Sequence, residues 1–266
     1  MAKRKINYDK IQVAERYQPT LEALSEVEPF FCNLDENLHL IQYEIDSITV
    51  DSAKNKKYEI GGSMGSVKFS PGNAKMGSIP SVSLPAIRTC VRCECNQKCY
   101  AAKLERLRPN VRAAYQNNLE VLQNDPDTYW REVEATIMLS RFFRFHVSGD
   151  IVDMDYLTRM VSIAQHNPHC EILCFTKKFE LVNRFLQSPT SQGHLPQNLH
   201  IVFSGWHGLQ MDNPYHLPEA HVIMRDGSTT ARPDAIPCSG NCAECARTNG
   251  GCWSLRRGQQ VTFHEH

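Results

Sequence analysis

The sequence predicts an α/β protein: a partial (β/α) barrel with parallel strands, an N-terminal β/irregular extension and a cysteine-rich C-terminal segment. Two observations predict this fold class. Between residues 143 and 225, short runs rich in Val, Ile, Phe and Leu alternate with stretches of helical periodicity, as in a parallel sheet with crossover helices. Residues 226–258 are instead rich in Gly, Pro, Ser and Cys, so we expect them to wrap around a metal rather than to form regular structure.

Three sections of the chain are expected. Residues 1–78 form the N-terminal extension, in which the β-like runs SITV and SVKFS, separated by GGSMG, predict a hairpin layer. Within it, residues 1–45 have few apolar side chains and are expected to be an irregular or partly helical lead-in. Residues 79–225 form the partial barrel with the first group of cysteines, and residues 226–266 form the cysteine-rich segment.

The elements of the barrel follow from hydrophobic periodicity. Prolines bound the run SIPSVSLP, which is predicted to be the first strand. Leu104, Leu107 and Val111 recur at helical spacing and predict a long helix after the first cysteines. The predicted strands cover residues 78–85, 143–150, 171–178, 199–206 and 221–225, and the predicted helices cover residues 100–123, 126–141, 153–166 and 179–187.

The bulk composition is that of an ordinary globular protein. The chain has 266 residues, of which 41% are hydrophobic and 22% charged, and its net charge is zero. Balanced charge gives no global positive field that would attract nucleic acid, so a nucleic-acid partner is not required. The charged start MAKRKINYDK has no apolar core, and no apolar run reaches membrane-spanning length. We therefore expect a cytoplasmic protein with no membrane partner, and its oligomeric state is left open.

Eight of the 11 cysteines lie in two short segments. The front cysteine group is Cys90, Cys93, Cys95 and Cys99, and the rear cysteine group is Cys238, Cys242, Cys245 and Cys252. Thiolates bind soft or borderline metals, and four of them in a short loop can enclose a metal ion or an iron–sulfur cluster. Since disulfides are disfavoured in a chain without a secretion signal, all eight cysteines are predicted metal ligands.

The spacing of the cysteines favours iron–sulfur over zinc. Zinc ribbons usually repeat Cys-x2-Cys twice across a long spacer. The front group reads Cys-x2-Cys-x-Cys-x3-Cys, and the rear group reads Cys-x3-Cys-x2-Cys-x6-Cys. Both patterns can wrap a four-iron cubane, so we expect one or two [4Fe–4S] clusters, with zinc as the alternative. One centre shared by both groups and two separate centres remain open.

Polar residues follow the predicted strands at their carboxyl ends, where α/β sheets and barrels bind ligands. Lys177 and His146 are the candidate catalytic residues. The candidate cofactor-binding residues are Ser148, Gly149, Asp150, Thr176 and Ser204. A small-molecule cofactor is the expected partner, because Asp150 can bind an ammonium group or a ribose hydroxyl and Lys177 a carboxylate or phosphate. The competing interpretation makes these residues helix caps and turn residues, with Asp150 as the N-cap of the next helix.

Six motifs occur in one order along the chain. They are GNAK (72–75), SLP (83–85), CYAAK (99–103), FHVSGD (145–150), FTKK (175–178) and CSGNCAEC…CW (238–253). In this order the sequence resembles the phage gene product 88 family, over about residues 60–264. The resemblance implies a shared architecture and a phage-encoded protein in the host cytoplasm, and it implies no particular activity.

The sequence also resembles, distantly, the radical S-adenosylmethionine (SAM) enzymes, since a cysteine loop follows the first strand and SGD ends the next. That resemblance implies an open [4Fe–4S] cluster on Cys90, Cys95 and Cys99, with Cys93 as a substitute, and SAM held at the SGD motif. The Cys-x3-Cys-x2-Cys spacing of that family is interrupted in the front group by Ala102 and occurs instead in the rear group. A closed auxiliary cluster is therefore implied at the rear group.

Three functions are open at this point. The first is a radical-SAM-like iron–sulfur enzyme with one open catalytic cluster and one auxiliary cluster. The second is a zinc- or iron–sulfur-binding module without catalysis that docks a protein partner, or docks a nucleic acid through Arg106, Arg108 and Arg112. The third is an electron-transfer or redox-sensing protein with fully ligated clusters.

Overall fold

The protein is described by a computed structural model that covers residues 48–50, 58–60, 66–248 and 250–265. The lead-in predicted over residues 1–45 therefore lies outside the described residues. The chain divides into two compact units, with the first two strands in one unit and everything from residue 66 onward in the other.

The first unit contains a small antiparallel sheet. β1 (Ile48–Val50) pairs with β2 (Tyr58–Ile60), and Ile48 lies opposite Ile60. β-Branched and aromatic residues favour this extended pairing. The predicted hairpin is thus formed by SITV and YEI, whereas SVKFS contributes a strand to the other unit.

The second unit is built on an eight-stranded sheet with the strand order β3-β4-β5-β6-β7-β8-β10-β9. Its strands are β3 (Phe69–Ser70), β4 (Ser81–Val82), β5 (Phe142–Phe145), β6 (Glu171–Thr176), β7 (Leu199–Ser204), β8 (Glu219–Ile223), β9 (Ile236–Pro237) and β10 (Gln260–His264). β3 is antiparallel to β4, and the other neighbours are parallel. The prediction of an α/β protein with parallel strands is confirmed. The sheet does not close into a barrel, since β3 and β9 are edges in the described part of the chain.

The helices of this unit follow the strands closely. They are α1 (Tyr100–Leu107), α2 (Pro109–Asn124), α3 (Pro126–Met138), α4 (Met154–His166), α5 (Phe179–Gln187) and α6 (Cys242–Arg247). The single helix predicted over residues 100–123 is two helices, because Pro109 holds Arg108 in a non-helical conformation (φ −129°, ψ 88°). None of the helices in the described ranges is long and apolar enough to cross a membrane.

One face of the sheet carries the main core, and we call it the helix face. Strands β4 to β8 lie side by side in chain order, and right-handed crossovers place the connecting helices of such an order on one face. There, Phe143, Phe145, Ile172 and Ile201 share a core with apolar residues of α2 to α5.

The opposite face, which we call the cysteine face, carries a smaller core. Alternate strand residues point to it, among them Leu173 and Val202, and Met76, Ala246 and Trp253 pack with them. All four rear cysteines pack against this core. The cysteine-rich segment therefore covers the face of the sheet that the crossover helices leave open.

The cysteine-rich segment is more regular than its composition predicts. It contains β9, α6 and a 3-10 turn at Gly251–Trp253, and Asn241 caps α6 by accepting a hydrogen bond from the Glu244 N–H (3.1 Å). β10 follows and inserts between β8 and β9, parallel to both. The expectation of irregular structure over residues 226–258 is wrong at these elements, because pairing with neighbouring strands and capping fix conformations that composition does not encode.

Candidate metal centre

The rear cysteine group is gathered from three elements on the cysteine face. Cys238 follows β9, where its N–H donates to the carbonyl of Thr262 on β10 (2.9 Å). Cys242 and Cys245 lie on α6, and Cys252 lies in the 3-10 turn. All four are half-buried, and none forms a disulfide.

The four rear thiols share one electrostatic environment. Burial raises the pKa of Cys252 to about 12, and the neighbouring thiols of Cys238, Cys242 and Cys245 act in the same direction. Burial also raises the pKa of Cys242, again with Cys238 and Cys245 adding to the shift. A bound metal would replace these protons and screen the repulsion between the thiolates.

The backbone around the rear group approaches the sulfur atoms closely. The Gly240 N–H donates to Cys238 Sγ (3.3 Å), and Ser239 Oγ lies 3.6 Å from Cys245 Sγ. Gly251 has a φ of +60°, and a Cβ at this position would lie 2.5 Å from Cys245 Sγ. Glycine therefore lets the 3-10 turn pack against α6. N–H groups directed at cysteine sulfur are one means by which proteins tune iron–sulfur clusters.

The GNAK motif positions the start of α6. Asn73 Oδ1 accepts hydrogen bonds from the N–H groups of Lys75 (2.9 Å) and Met76 (3.0 Å), which fixes a tight turn. The carbonyl of Lys75 then accepts a hydrogen bond from the N–H of Cys242 (2.8 Å). A motif from the far end of the chain thus orients one of the predicted ligands.

Arg144 on β5 is a neighbour of the rear group that sequence analysis did not identify. It acts to lower the pKa values of Cys242 and Cys252, and its guanidinium carbon lies 5.0 Å from the centroid of the Phe175 ring. Its Nε is buried without a hydrogen-bond partner among the described residues. The signal for it in the sequence is one arginine inside the apolar strand FFRF.

The front cysteine group lies in the loop between β4 and α1. Cys90 and Cys99 are free and half-buried, whereas Cys93 and Cys95 form a disulfide with Cα atoms 5.4 Å apart. This pairing corrects the expectation that the chain forms no disulfide, and its basis is local, since only one residue separates the two cysteines at the start of a 3-10 turn (Glu94–Lys98). The structure leaves two free thiols in the front group.

The loop of the front group spans the carboxyl ends of several strands. Lys98 forms an ion pair with Glu265, just after β10 (3.0 Å). A Cβ added at Gly208, after β7, would lie 3.8 Å from Glu94 Oε2. Cys99 ends the loop as the N-cap of α1, with its Sγ accepting an N–H from the first turn (3.4 Å). The front group therefore lies at the edge of the sheet where parallel α/β proteins bind ligands.

Lys177 is the cationic group beside the two free front thiols. Burial lowers the pKa of its amine, while Asp150, Cys90 and Cys99 act in the opposite direction. Its Nζ donates a hydrogen bond to Ser204 Oγ at the end of β7 (2.9 Å). Burial raises the pKa of the Cys90 thiol, and Lys177 opposes that shift. The structure thus brings together Lys177, Ser204, Cys90 and Cys99.

Asp150 is buried, and its carboxylate accepts hydrogen bonds from neighbouring residues of the protein. Oδ1 accepts hydrogen bonds from Thr176 Oγ1 (2.5 Å) and the Ile151 N–H (2.7 Å), and Oδ2 accepts one from the Lys177 N–H (2.9 Å). Burial raises the pKa of this carboxyl group against the effect of those bonds. Asp150 therefore joins the ends of β5 and β6. The capping interpretation is wrong for it, because Asp153 is the N-cap of α4.

Ser148 and Gly149 connect the end of β5 to the SLP motif. The Ser148 carbonyl accepts the Leu84 N–H (3.0 Å), and its hydroxyl donates to Glu105 Oε1 (3.0 Å). Gly149 has a φ of +84°, and a Cβ there would lie 2.8 Å from the Leu84 carbonyl oxygen and 2.8 Å from Thr89 Oγ1. Close approach to the β4 loop explains this glycine, and the cofactor-binding role of both residues stays a prediction.

His146 lies in the main core. Its ring centroid is 5.4 Å from that of Tyr156 and 5.8 Å from that of Phe145. Neither ring nitrogen has a hydrogen-bond partner in the described part of the chain, and burial lowers the pKa of the imidazole to about 3. The two predicted catalytic residues thus have different surroundings, with His146 among aromatic rings and Lys177 beside the front group.

Tyr100 lies near cysteines of both groups. Its hydroxyl donates a hydrogen bond to the Val147 carbonyl (2.6 Å). Burial raises the pKa of this hydroxyl, and Cys99, Cys90 and Cys242 act in the same direction. The residue as a whole is 46% exposed. Front and rear thiols therefore lie within electrostatic reach of one hydroxyl group.

The predicted ligands do not form a preorganised site for a single metal ion. Within the described residues, no group of three or more His, Cys, Asp or Glu side chains could hold a metal ion as they stand. The assignment of the eight cysteines as ligands therefore stays a prediction.

Comparisons with known proteins bear on the family and on the architecture. The model of a family described as Gene product 88 matches residues 48–253, which agrees with the six ordered motifs. No curated protein and no solved structure matches the chain. The distant resemblance to radical SAM enzymes finds no support in these comparisons.

Proposed function

This chain belongs to the Gene product 88 family, a description that names no activity, and we propose that it is an iron–sulfur protein. In this proposal the rear cysteine group ligates a closed [4Fe–4S] cluster. Reduction of the Cys93–Cys95 disulfide frees Cys95 to join Cys90 and Cys99 as the third thiolate of a second, open cluster beside Lys177. One observation carries the proposal: four free, half-buried thiols from three segments pack against the same core on one face of the sheet.

The preference for iron–sulfur over zinc rests on ligand spacing and on the surroundings of the sulfurs. The Cys-x3-Cys-x2-Cys-x6-Cys pattern is unlike that of a zinc ribbon. The N–H of Gly240 is directed at Cys238 Sγ, and apolar residues such as Trp253 pack beside the group. Hydrogen bonds to sulfur and low solvent access are both factors that set the potential of an iron–sulfur cluster.

The enzyme form of the proposal adds a small molecule at the front group, for which SAM is the candidate. It is supported by the position at the carboxyl ends of the strands and by the Lys177 amine, which can bind a carboxylate. Asp150 gives it less support, since Thr176, Ile151 and Lys177 already donate to its carboxylate. The carboxylate therefore has about one acceptor site left for a SAM ammonium group.

Electron transfer between two centres is a second candidate. The observation that favours it is Tyr100, whose hydroxyl lies near Cys90 and Cys99 as well as Cys242. Two clusters this close to one side chain could exchange electrons without any bound cofactor. A zinc-binding module that docks a partner remains the alternative without redox chemistry.

The deciding experiment is metal and sulfide analysis of protein purified without oxygen, together with its visible spectrum. We expect brown protein with about four iron and four sulfide per cluster. Cys242→Ala should lose the rear iron, whereas the control Cys170→Ala, at a thiol in the main core, should keep it. Colourless protein that contains only zinc would contradict the proposal.

The same preparations separate the enzyme from the electron carrier. After reduction, cleavage of SAM that disappears in Cys99→Ala but persists in Cys170→Ala would support an open front site. A reversible change of spectrum on reduction, with no SAM cleavage, would support electron transfer. Charge reversal at Arg106, Arg108 and Arg112 tests the docking alternative, because nucleic-acid binding that is unchanged by it would exclude that surface.

A further inference from the structure

Arg144 is placed by the strand pattern of β5. It lies between Phe143 and Phe145, which point into the main core, and its partners in register are Ser81 on β4 and Leu173 on β6. Because side chains alternate along a strand, Arg144 points to the cysteine face. A charged group is thus fixed near the middle of the sheet rather than at its rim.

Among the described residues, no carboxylate forms an ion pair with the Arg144 guanidinium group. Its Nε is buried and without a hydrogen-bond partner among those residues. Its guanidinium carbon lies over the face of the Phe175 ring, 5.0 Å from the centroid. A ring quadrupole compensates only a small part of the cost of burying a cation, so the pairing of this charge is incomplete.

The groups beside Arg144 on the cysteine face include the rear thiols. Phe175, on which the guanidinium stacks, packs against the same small core as all four rear cysteines. Neutral thiols do not balance a cation. Four thiolates around an iron–sulfur core do, since their charges outweigh that of the core and the centre is net anionic.

The other arginine near the rear group is already paired. Arg247, at the end of α6, donates two hydrogen bonds from Nη2 to the Glu244 carboxylate (2.6 and 2.7 Å) and is exposed to solvent. Its field at the cysteines is therefore cancelled locally and screened by water. Arg144 is half-buried and forms no ion pair among the described residues, so its charge is less screened than that of Arg247.

We propose that Arg144 is the counter-ion of the rear centre and raises its reduction potential. The inference rests on the proposed function, because it takes the rear group to hold a cluster. Adding an electron makes the centre more negative, and a fixed positive charge beside it favours that reduced state. Arg144 is a positioning residue here, since it acts through the field at the ligands and binds no iron.

The test is a redox titration of the full-length protein, with Arg144→Gln and Arg144→Lys. At the wild-type midpoint potential, we expect the reduced-to-oxidised ratio of the rear centre to fall about tenfold in Arg144→Gln, a shift of about 59 mV for one electron. Arg144→Lys keeps the charge and should stay near wild type. The matched control is Arg141→Gln, an exposed arginine on the same segment that stacks on Phe142 (5.3 Å), and it should leave the potential unchanged.

The outcomes separate this inference from the proposed function. Wild-type protein without iron would overturn both. Wild-type protein with iron, and an Arg144→Gln potential equal to wild type, would overturn the counter-ion role alone. If Arg144→Gln folds but loses its iron, retention of iron by Arg144→Lys supports the charge requirement, and equal loss in both variants overturns it. If Arg144→Gln does not fold, the potential of Arg144→Lys decides, since a shift away from wild type contradicts a charge effect.

Discussion

His146 is a titratable residue that the fold keeps uncharged. Burial among Phe145 and Tyr156 lowers the pKa of its imidazole to about 3, whereas in the unfolded chain it returns to about 6.5. Between these two values the unfolded state binds the extra proton. The free energy of unfolding therefore falls as the pH drops from about 6.5 toward 3 and is fully present above that range.

We predict that this single ring accounts for about 2 kcal/mol of the stability lost between pH 7 and pH 5. Asn is neutral at every pH and tolerates the φ of +60° found here, so His146→Asn should show a smaller loss. Urea unfolding at the two pH values measures it, with the exposed His166→Asn as control. Equal losses in wild type and His146→Asn would contradict the prediction.

The residue scale is also where the sequence predicts least about the site. Motif order and strand ends indicate the region around Asp150 and Lys177. Two of the three hydrogen-bond partners of Asp150, however, are Thr176 and Lys177, which lie 26 and 27 positions later in the chain. The register between β5 and β6 decides which carboxylate oxygen accepts from which donor. That register cannot be derived from a single sequence. Arg144 was missed for the same reason, since its neighbours come from the far end of the chain.

At the scale of elements, long periodic segments were predictable and short ones were not. The strands β6 and β7 and the helices α4 and α5 follow from apolar runs of ordinary length. β9 has only two residues, so pairing rather than propensity makes it a strand. The polar/apolar alternation of β10 is a strand signal that the prediction did not use. The break between α1 and α2 could have been predicted from the sequence, because Pro109 disfavours a helical conformation at the residue before it.

The contact between the 3-10 turn and α6 gives a prediction at this scale. Gly251→Ala would place a methyl group 2.5 Å from Cys245 Sγ, which should push the turn off the helix and carry Cys252 away from the other rear thiols. We expect loss of most of the rear iron. Gly258→Ala is the control, since it carries similar backbone strain (φ +80°) with no atom within 4 Å. Iron analysis of both proteins decides, and equal iron content would contradict the prediction.

At the scale of the whole molecule, the two faces of the sheet are covered in different ways. The helix face is closed by α2 to α5, whereas the cysteine face is covered by α6, the 3-10 turn and the GNAK turn. The sequence predicted the parallel sheet from its alternation of strands and helices. It did not predict that the cysteine-rich segment forms the second layer. The few apolar residues of that segment are identified as core only by their packing against Leu173 and Val202.

If the rear group holds the proposed cluster, its removal should loosen the layer on the cysteine face and leave the helix face unchanged. We predict faster amide hydrogen exchange in α6 and β10 after anaerobic chelation, with α4 and α5 unchanged, because local opening follows the loss of local contacts. Exchange measured by mass spectrometry on the loaded and stripped protein tests this. A uniform increase throughout the sheet, or none at all, would contradict it.

The position of β10 between β8 and β9 sets the order in which the last strands can join the sheet. A ribosome makes the rear cysteines after β9 and before β10, and β9 has no partner in the sheet until β10 arrives. The segment between these two strands carries all four rear cysteines. Docking of the last strand is therefore the step that brings Cys238 to its final place, where its N–H donates to the carbonyl of Thr262.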